Sequence, residues 1–423
     1  MTETVPEDQI VSISPEFKRH SQGRLAELRA RGPIHRVVSS SGVESWLVVG
    51  YELAREALTH PALLKNSEPS EEALAAAGFT GNKPGVGLGG QMLEADPPEH
   101  TRLRKLVSGA FTPRRTQELG PRIQEISDAL IDSMAAAPGH EVDLVQAFTG
   151  PLPVTVIAEL LGIPESDRDD FRVWTSRALD YSSAGHRAAI ADLHRLLAGL
   201  IEDKRARPAD DLLSDLIAKR DQEAGMLSDQ ELVGTALLLI VAGHETTVNL
   251  LGNALFALLR DPEQARLLRE RPELIPQAVE EFLRYDPSVE LTTFRYAAAD
   301  LELGGQPIAR GDVLAVALTS ASRDAPNEGD RDRLDVTRPN PRHLAFGHGI
   351  HHCLGAPLAR LEAVTALSTF LRRVEGLEAA RPLDEIDWIP AGMMHGPLQL
   401  PVRFKEIAAA SPGTGNARAT SGL

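Results

Sequence analysis

The chain has 423 residues, of which 42% are hydrophobic and 25% are charged, a balance typical of globular proteins and unlike disordered or fibrous ones. Its formal net charge of -16 argues against nucleic acid or an anionic membrane as the main partner. The single cysteine excludes an intramolecular disulfide, and the N-terminus carries acids and a proline where a signal peptide has basic and apolar residues. We therefore expect a cytoplasmic protein.

The first predicted element is a β-hairpin. Two strand-like runs, PIHRVV and SWLVVG, flank the turn segment SSSGVE at residues 39–44. Helical periodicity begins directly afterwards, near Tyr51. The sequence therefore predicts a small sheet near the N-terminus, followed by a helix.

Helical periodicity dominates the rest of the chain, with breaks at Asp96-Pro97, Asp261-Pro262 and Asp286-Pro287. No internal repeat and no linker rich in Pro, Gly or Ser divides it. We expect a mainly α fold with small β-sheets, built as one domain over residues 1–407, and a disordered tail at 408–423.

A glycine-rich stretch precedes the first of these breaks. Gly85, Gly87 and Gly90 match the dinucleotide-binding pattern G-x-G-x-x-G, which has to leave a strand and open a helix so that backbone N–H groups meet the pyrophosphate. Here Pro84 precedes the glycines and no helix signal follows them. We predict a loop that covers a pocket, with nucleotide binding as the less favoured alternative.

A long helix is predicted next. Ser228 and Glu231 have the spacing of a capping box, and no proline occurs before Pro262, which gives about thirty residues and a length of roughly 45 Å. Its apolar run, from Leu232 to Gly243, is about a dozen residues long, whereas a membrane-spanning helix needs roughly 20. We therefore predict a buried core helix.

Polar residues interrupt this helix at the segment AGHETT, Ala242–Thr247. Gly243 costs about 1 kcal/mol relative to alanine inside a helix. One interpretation is that His244 and Glu245 face solvent. In this interpretation Thr246 and Thr247 bond back to carbonyls one turn earlier. The other is that Gly243 lets a ligand lie against the backbone and that Glu245 and Thr246 manage protons beside it.

Two further pairs have helical spacing. Glu281 and Arg284 share one face, where a surface ion pair is the common outcome and a bidentate buried pair is the alternative. His100 and Arg104 also share one face, near a helix start. Neither pair indicates a function by itself.

The only cysteine, Cys353, stands in the segment FGHGIHHCLG, Phe346–Gly355. His348, His351 and His352 are metal-ligand types, but the adjacent His352 and Cys353 project in different directions, which disfavours a zinc site. Two further interpretations are a catalytic thiol activated by histidine and an inert buried cysteine. None of the three explains the glycines around the thiol.

A thiolate bound to haem iron does explain the glycines. Gly347 and Gly349 would let the loop approach the porphyrin, and Gly355 would let the following helix lie close to the ring. Pro357 lies in the first turn of that helix, and the N–H groups at its start would stabilise the charge on Cys353.

At these residues the chain resembles the bacterial soluble cytochromes P-450, which are haem-thiolate monooxygenases. The resemblance extends from about Val11 to Phe404 and includes three family patterns in their usual order. The matched positions are Ala242, Gly243, Glu245, Thr246 and Thr247 in the long helix, Glu281 and Arg284, and Phe346, Gly347, Gly349, His351, Cys353 and Gly355 in the cysteine segment.

The resemblance implies a role for each of these groups. The cofactor would be haem b, iron protoporphyrin IX, with Cys353 as the axial iron ligand and the substrate oxygen coming from O2. Thr246, with Glu245 behind it, would relay protons to bound dioxygen. Glu281 and Arg284 would form a buried ion pair that supports the cysteine loop. The residues expected to hold the haem are His100, Arg104, Arg295 and His351 at the propionates, and Phe346, Gly347, Gly355, Ala242 and Gly243 elsewhere.

The chain departs from the family pattern before the cysteine loop. Arg331 and Leu334 replace a usual proline and phenylalanine, so whether Arg333 or Arg338 completes the Glu281 network is left open. His352 stands where an apolar residue is common, a change that would tune the redox potential.

The resemblance also implies partners. Since no reductase domain is fused to the chain, electrons would come from NAD(P)H through a ferredoxin reductase and an acidic ferredoxin, to a protein that acts as a monomer without nucleic acid or membrane. The predicted ferredoxin-docking residues are Arg102, Lys105, Arg114, Arg115, Arg342 and Arg360.

The expected substrate is a bulky apolar small molecule that is hydroxylated or epoxidised. The resemblance is strongest to actinomycete enzymes of macrolide and polyketide biosynthesis, part of secondary metabolism and antibiotic production. A peroxide-driven haem peroxygenase and a noncatalytic haem sensor are the competing functions. The predicted pocket residues are Leu238, Val241, Val289, Leu291, Thr292, Met393 and Met394.

Overall fold

The computed structural model describes residues 10–40, 42–78, 91–179, 185–222 and 227–410. The helices of the first half are α1 (Pro15–Arg19), α2 (Ser21–Arg31), α3 (Tyr51–Thr59), α4 (Glu71–Ala76), α5 (Glu99–Ser108), α6 (Pro113–Glu118), α7 (Gly120–Ala135), α8 (Pro151–Leu160), α9 (Arg168–Leu179) and α10 (His186–Ala206). Those of the second half are α11 (Leu212–Gln222), α12 (Asp229–Arg260), α13 (Pro262–Glu270), α14 (Ile275–Tyr285), α15 (Leu318–Asp324) and α16 (Ala356–Arg373).

The strands are short and mostly lie toward the two ends of the chain. They are β1 (Val11–Ile13), β2 (Ile34–Ser39), β3 (Glu44–Val48), β4 (Leu63–Leu64), β5 (Glu141–Asp143), β6 (Arg295–Ala297), β7 (Leu301–Leu303), β8 (Gln306–Ile308), β9 (Val313–Val316), β10 (Val374–Glu375), β11 (Glu378–Ala379), β12 (Pro401–Arg403) and β13 (Glu406–Ile407). The expected mainly α fold with small sheets is confirmed.

The largest sheet has six strands in the order β1-β2-β3-β9-β6-β4. Strands β2 and β3 form the predicted hairpin, antiparallel with Ile34 opposite Val48, and α3 begins at Tyr51 as expected. At the far edge β4 pairs antiparallel with β6, so that Leu64 lies opposite Tyr296. The smaller sheets are β11-β12-β5, β10-β13 and β7-β8.

Helix α12 forms the centre of the molecule. Ser228 and Glu231 make both hydrogen bonds of the predicted capping box, and the helix ends at Arg260, just before Pro262. It packs against α8, α10, α14 and α16, and most side chains along it are buried. Its length and composition would suffice to cross a membrane, but 67% of its most apolar stretch is buried inside the protein, as in the core helix of a globular protein.

The proline breaks separate the helices as expected. Helix α13 starts at Pro262 with Asp261 as its cap, α14 stops at Tyr285 before Asp286, and α16 carries Pro357 in its first turn. At the start of the predicted tail, the Ala408 N–H donates to the Arg373 carbonyl and the Arg373 side chain donates to the Ala408 carbonyl. Residues 411–423 lie outside the described chain.

Candidate active site

The cysteine segment folds into a tight loop that enters α16. The Cys353 N–H donates to the Phe346 carbonyl at 2.8 Å, and the His352 N–H donates to the Gly349 carbonyl at 3.0 Å. Gly347 and Gly349 have φ of 72° and 75°, in the left-handed region that favours glycine. A Cβ on Gly349 would also lie 2.8 Å from Thr59 Cγ2, so this glycine brings the loop against α3.

The thiol of Cys353 is accessible, although protein atoms surround it densely. This crowding raises its pKa above the usual range by burial. Backbone N–H groups of Gly355 and Ala356 and the charges of Arg104 and Arg360 lower the pKa in opposition. The start of α16 therefore supplies donors for a thiolate, as expected from the sequence.

Across the interior, α12 has an accessible patch in the middle of its buried length. Ala242 is exposed and Glu245 and Thr246 are partly exposed, whereas the apolar positions before and after them are buried. An exposed alanine within a core helix indicates open space beside it. Gly243 has a different neighbour, because a Cβ there would lie 3.2 Å from Ile157 Cδ1 on α8. The structure thus gives Gly243 a packing role, and its expected contact with the haem stays a prediction.

The acid and the alcohol of α12 lie on this patch. The Thr246 hydroxyl donates to the Ala242 carbonyl at 2.6 Å, the back-bonding that one of the two interpretations of this segment includes. Glu245 accepts from Asn249 Nδ2 at 3.2 Å, and burial raises the pKa of its carboxyl above the usual range. His244 does not face solvent, contrary to that same interpretation: it is buried, and burial lowers its pKa to about 4.

Four of the predicted cofactor ligands come together from three parts of the chain. The rings of His100 on α5 and His351 in the cysteine loop are 4.3 Å apart between centroids, and Arg104 donates to the His352 carbonyl at 2.7 Å. Burial first, and then the charges of His100, Arg295 and other cations, lower the pKa of His351 to about 3. Nε2 of both histidines is buried without a hydrogen-bond partner among the described residues.

Glu281 and Arg284 form the buried pair that the family resemblance implies. Arg284 donates to both carboxylate oxygens of Glu281, at 2.6 and 2.8 Å, and neither side chain has any exposure. The side chain that completes the network is Arg338, whose Nε donates to Glu281 Oε2 at 3.1 Å. Arg333 contributes only its backbone carbonyl, which accepts from both arginines. The surface interpretation of the pair is therefore wrong.

These residues fit a haem. The thiol of Cys353 meets two backbone donors, the accessible side of Ala242 provides apolar contact, and the buried Nε2 atoms of His100 and His351 lack acceptors that a pair of carboxylates would supply. The described segments hold no cluster of three or more His, Cys, Asp and Glu side chains that could bind a metal ion.

Comparison with known proteins agrees with this fit. The family model for cytochrome P-450 matches residues 154–387. A cytochrome P-450 monooxygenase of Streptomyces venezuelae, PikC, is 43% identical over 415 residues, which cover 98% of both chains. The chain belongs to the cytochrome P-450 family. It is accordingly a haem-dependent monooxygenase.

Two other relatives show the same relationship. The mycinamicin IV hydroxylase/epoxidase of Micromonospora griseorubida is 41% identical over 384 residues, covering 90% of this chain and 94% of that one. The solved structure of the monooxygenase TamI with tirandamycin C superposes with a TM-score of 0.86 at 40% identity, covering 93% of this chain and 100% of that one.

In this cytochrome P-450 a second ion-pair network, which the sequence did not reveal, holds the cysteine loop. Arg360 on α16 donates to both oxygens of Glu280, at 2.6 and 2.8 Å, and His343 lies 3.1 Å from the same carboxylate. These contacts hold the pKa of Glu280 down to about 2, against the effect of its burial. Arg360 also lies 4.5 Å from the ring centroid of Phe346. No helical spacing could have revealed the pair, since the partners are 80 residues apart.

The predicted pocket residues divide into two groups. The first group is partly exposed and lies on two adjacent segments: Val289, Leu291, Thr292, Met393 and Met394. A β-bridge between Val289 and Met394 joins the two segments, and the N–H groups of residues 290 and 291 donate to the Met393 carbonyl. The other two, Leu238 and Val241, are buried in the core around α12. The prediction of a substrate pocket therefore rests on the first group, whose side chains are accessible.

A buried ion pair supports this pocket wall and was not predicted. Lys18 on α1 donates to Glu290 at 2.5 Å and to the Met394 carbonyl at 3.0 Å, and both charged side chains are about 1% exposed. No local pattern could have paired residues 272 positions apart. The glycines Gly85, Gly87 and Gly90 of the predicted covering loop lie outside the described residues.

Replacing Arg338 with alanine should lower the free energy of unfolding of the ferric enzyme by about 3 kcal/mol, because it leaves Glu281 with one guanidinium partner fewer in a buried site. Urea unfolding followed by circular dichroism and by the Soret band measures the change. The matched control is Arg333→Ala, whose exposed side chain lies outside the network and should shift unfolding by at most about 0.5 kcal/mol. Equal losses in the two variants would contradict the assignment of Arg338.

Proposed function

We propose that this cytochrome P-450 inserts one atom of dioxygen into a bulky apolar natural product of the polyketide type, by hydroxylation or epoxidation. The observation that carries the proposal is the accessible patch at Ala242, Glu245 and Thr246, where an apolar surface and two proton-handling side chains occur together inside the core. Haem bound through Cys353 supplies the activation of dioxygen.

The chain's own residues divide the remaining work. His100, His351, Arg104 and Arg295 hold the cofactor by its carboxylates, because they present N–H donors from three elements at one place. The N–H groups of Gly355 and Ala356 stabilise the negative charge of the Cys353 sulfur. The Glu281 network keeps the segment before the cysteine loop in place.

Thr246 and Glu245 handle protons. The Thr246 hydroxyl donates its hydrogen bond to the Ala242 carbonyl, so its oxygen lone pairs remain to accept from a water or ligand on the accessible side of α12. Burial raises the pKa of the Glu245 carboxyl above its usual range, which favours the protonated form that a proton donor requires. Asn249 orients that carboxyl from one turn along the helix.

The apolar character of the pocket wall favours a large, weakly polar substrate. Val289, Leu291 and Met394 present aliphatic and thioether groups, and methionine adapts to irregular shapes. Of the similar proteins, one is named as a mycinamicin IV hydroxylase/epoxidase and another has tirandamycin C bound, and these names support the proposal. We infer a polyketide lactone or a product of similar size.

The direct test is a screen of purified enzyme against apolar natural products, with polyketide lactones as one set and short fatty acids as another. Displacement of iron-bound water shifts the Soret band, and the shift is titrated with each compound. We expect dissociation constants in the micromolar range for the lactones only. Cys353→Ser is the control: it should lose the carbon monoxide spectrum of a thiolate-ligated haem. A variant that retained that spectrum would reject the iron ligand, whereas tighter binding of the short fatty acids would reject the substrate class.

Thr246→Ala should uncouple turnover, because the variant removes the hydroxyl that directs protons on the accessible side of α12. We expect about a 10- to 100-fold lower ratio of product to NAD(P)H consumed, with hydrogen peroxide making up the difference, in line with the contribution of a positioned proton donor. Thr246→Ser, which keeps the hydroxyl, should retain most of the coupling. Full coupling in the alanine variant would refute the relay at Thr246.

We further propose that electrons arrive from NAD(P)H through a reductase and a ferredoxin, and that the enzyme works as a cytoplasmic monomer. Of the predicted docking residues, several are already paired: Arg102 with Glu99 and Glu231, Arg115 with Asp215, and Arg360 with Glu280. Arg114 is paired with Glu118 at an exposed site. Lys105 and Arg342 are exposed and have no ion pair within the described ranges, so they are the strongest candidates for contact with an acidic partner.

The double variant Lys105→Glu with Arg342→Glu should slow reduction by ferredoxin about tenfold at low salt and flatten its salt dependence, because two attractive charges become repulsive. Stopped-flow reduction at several ionic strengths measures both effects. Arg310→Glu, a reversal on the β8–β9 connection, is the control. Unchanged kinetics in the double variant, or equal slowing in the control, would reject this docking face.

The competing functions are separated by the electron source. A peroxygenase would turn over with hydrogen peroxide alone and would not need Glu245 and Thr246, whereas the proposed monooxygenase needs the reductase and ferredoxin. A haem sensor would show neither activity. Comparing product formation under the two conditions decides among them.

A further inference from the structure

Lys65 lies inside the protein directly after β4, and its charge belongs to none of the networks described above. Its side chain is buried, and its ammonium group donates to the Thr293 hydroxyl and, at 2.8 Å, to the Phe294 carbonyl. Both acceptors are neutral. In the ranges that the structure describes, no carboxylate forms an ion pair with Lys65.

The strand register places Lys65 beside another buried cation. Strands β4 and β6 pair with Leu63 opposite Ala297 and Leu64 opposite Tyr296, and one further step of this antiparallel register brings Lys65 opposite Arg295. Arg295 is also buried, and it donates to the Leu63 carbonyl at 3.3 Å. Like charges directly opposite each other in a sheet are destabilising, and burial increases that cost.

Burial acts on both of these cations, and the charge of Arg295 acts on Lys65 as well. Burial first and then Arg295 lower the pKa of Lys65 to about 7, and burial lowers the pKa of Arg295 to about 10. The charges of Lys65 and Arg295 also lower the pKa of His351, as do those of His100 and Arg104. Lys65 therefore belongs to the same group of cations around His351. A site with this much unneutralised positive charge is built for an anion.

The nearest acids leave that positive charge in place. The charge of Asp96 raises the pKa of Lys65, but its carboxylate accepts hydrogen bonds from the backbone N–H groups of Lys65 and Asn66, at 2.8 to 3.0 Å, and none from the Lys65 ammonium group. Glu94 acts on Lys65 through its charge, as a weaker influence than burial and Arg295. The carboxylates that suit the site are therefore those of the haem, which the neighbouring histidines and arginines hold.

We propose that Lys65 is a further anchor for the haem propionates, opposite Arg295, and that its ammonium group forms a charge-assisted hydrogen bond with a propionate when the cofactor is bound. The proposal rests on the haem site of this cytochrome P-450 and is independent of the substrate. The competing explanation is purely structural: Lys65 would act as a brace that ties the end of β4 to residues 293 and 294.

The test measures haem retention in the holoenzyme. Transfer of haem to excess apomyoglobin should be roughly tenfold faster for Lys65→Met than for the wild type, the effect of one charge-assisted hydrogen bond. Lys65→Gln keeps a donor for Thr293 and Phe294 but lacks the charge, and it should lose haem as fast as the methionine variant. Thr293→Val removes the hydroxyl acceptor and leaves the ammonium group, so its transfer rate should stay near that of the wild type.

A second readout reports on the propionates directly. In resonance Raman spectra, the propionate bending band should shift in both Lys65 variants, while the carbon monoxide spectrum of the thiolate-ligated haem is unchanged. The proposal is overturned by wild-type haem retention or an unshifted band in Lys65→Gln, or by rapid haem loss in Thr293→Val equal to that of Lys65→Met. Substrate screening plays no part in these outcomes, so a wrong substrate class leaves them intact.

Discussion

The proposed iron ligand, Cys353, has to carry a negative charge where protein atoms crowd its sulfur, and the structure around it depends on this constraint. Burial raises the pKa of Cys353, so the thiolate that the iron requires is disfavoured unless nearby dipoles and charges oppose that effect. The N–H groups at the start of α16 and the charges of Arg104 and Arg360 provide this opposition. Other contacts position these groups in turn. Glu280 accepts a hydrogen bond from Arg360, and the start of α16 at Ala356 sets the direction of the N–H groups.

The buried charges around the site follow the same logic. Glu281 is stable without solvent because it accepts hydrogen bonds from two arginines and from the N–H of Asp335. Lys18 and Glu290 form a buried ion pair beneath the proposed pocket wall. The group around His100, His351, Arg295 and Lys65 is the exception, since its positive charge is left without an ion-pairing carboxylate among the described residues. This contrast with the structural ion pairs supports our proposal that the group holds the carboxylates of the cofactor.

Much of this arrangement could be predicted from sequence where the signal is local. The capping box at Ser228, the proline in the first turn of α16 and the glycines at positive φ each depend on a few neighbouring residues. The family patterns added the buried Glu281 pair, which the structure contains, while the roles they imply for Cys353 and Thr246 stay predictions. Contacts between distant segments gave no such signal. Nothing near Lys18 or Lys65 indicates its partner, and the sequence could not choose between Arg333 and Arg338 for the Glu281 network. Gly243 faces Ile157, a neighbour supplied only by the packing of α8 on α12.

The hydroxyl of Ser288 donates to the Thr246 carbonyl at 2.5 Å, and Ser288 immediately precedes the pocket residue Val289. This hydrogen bond ties the turn of α12 to which we assign proton handling to the segment to which we assign the pocket wall. On these two assignments, a substrate that displaces the wall acts on the backbone of Thr246 through Ser288, so that filling the pocket and positioning the hydroxyl of Thr246 are coupled.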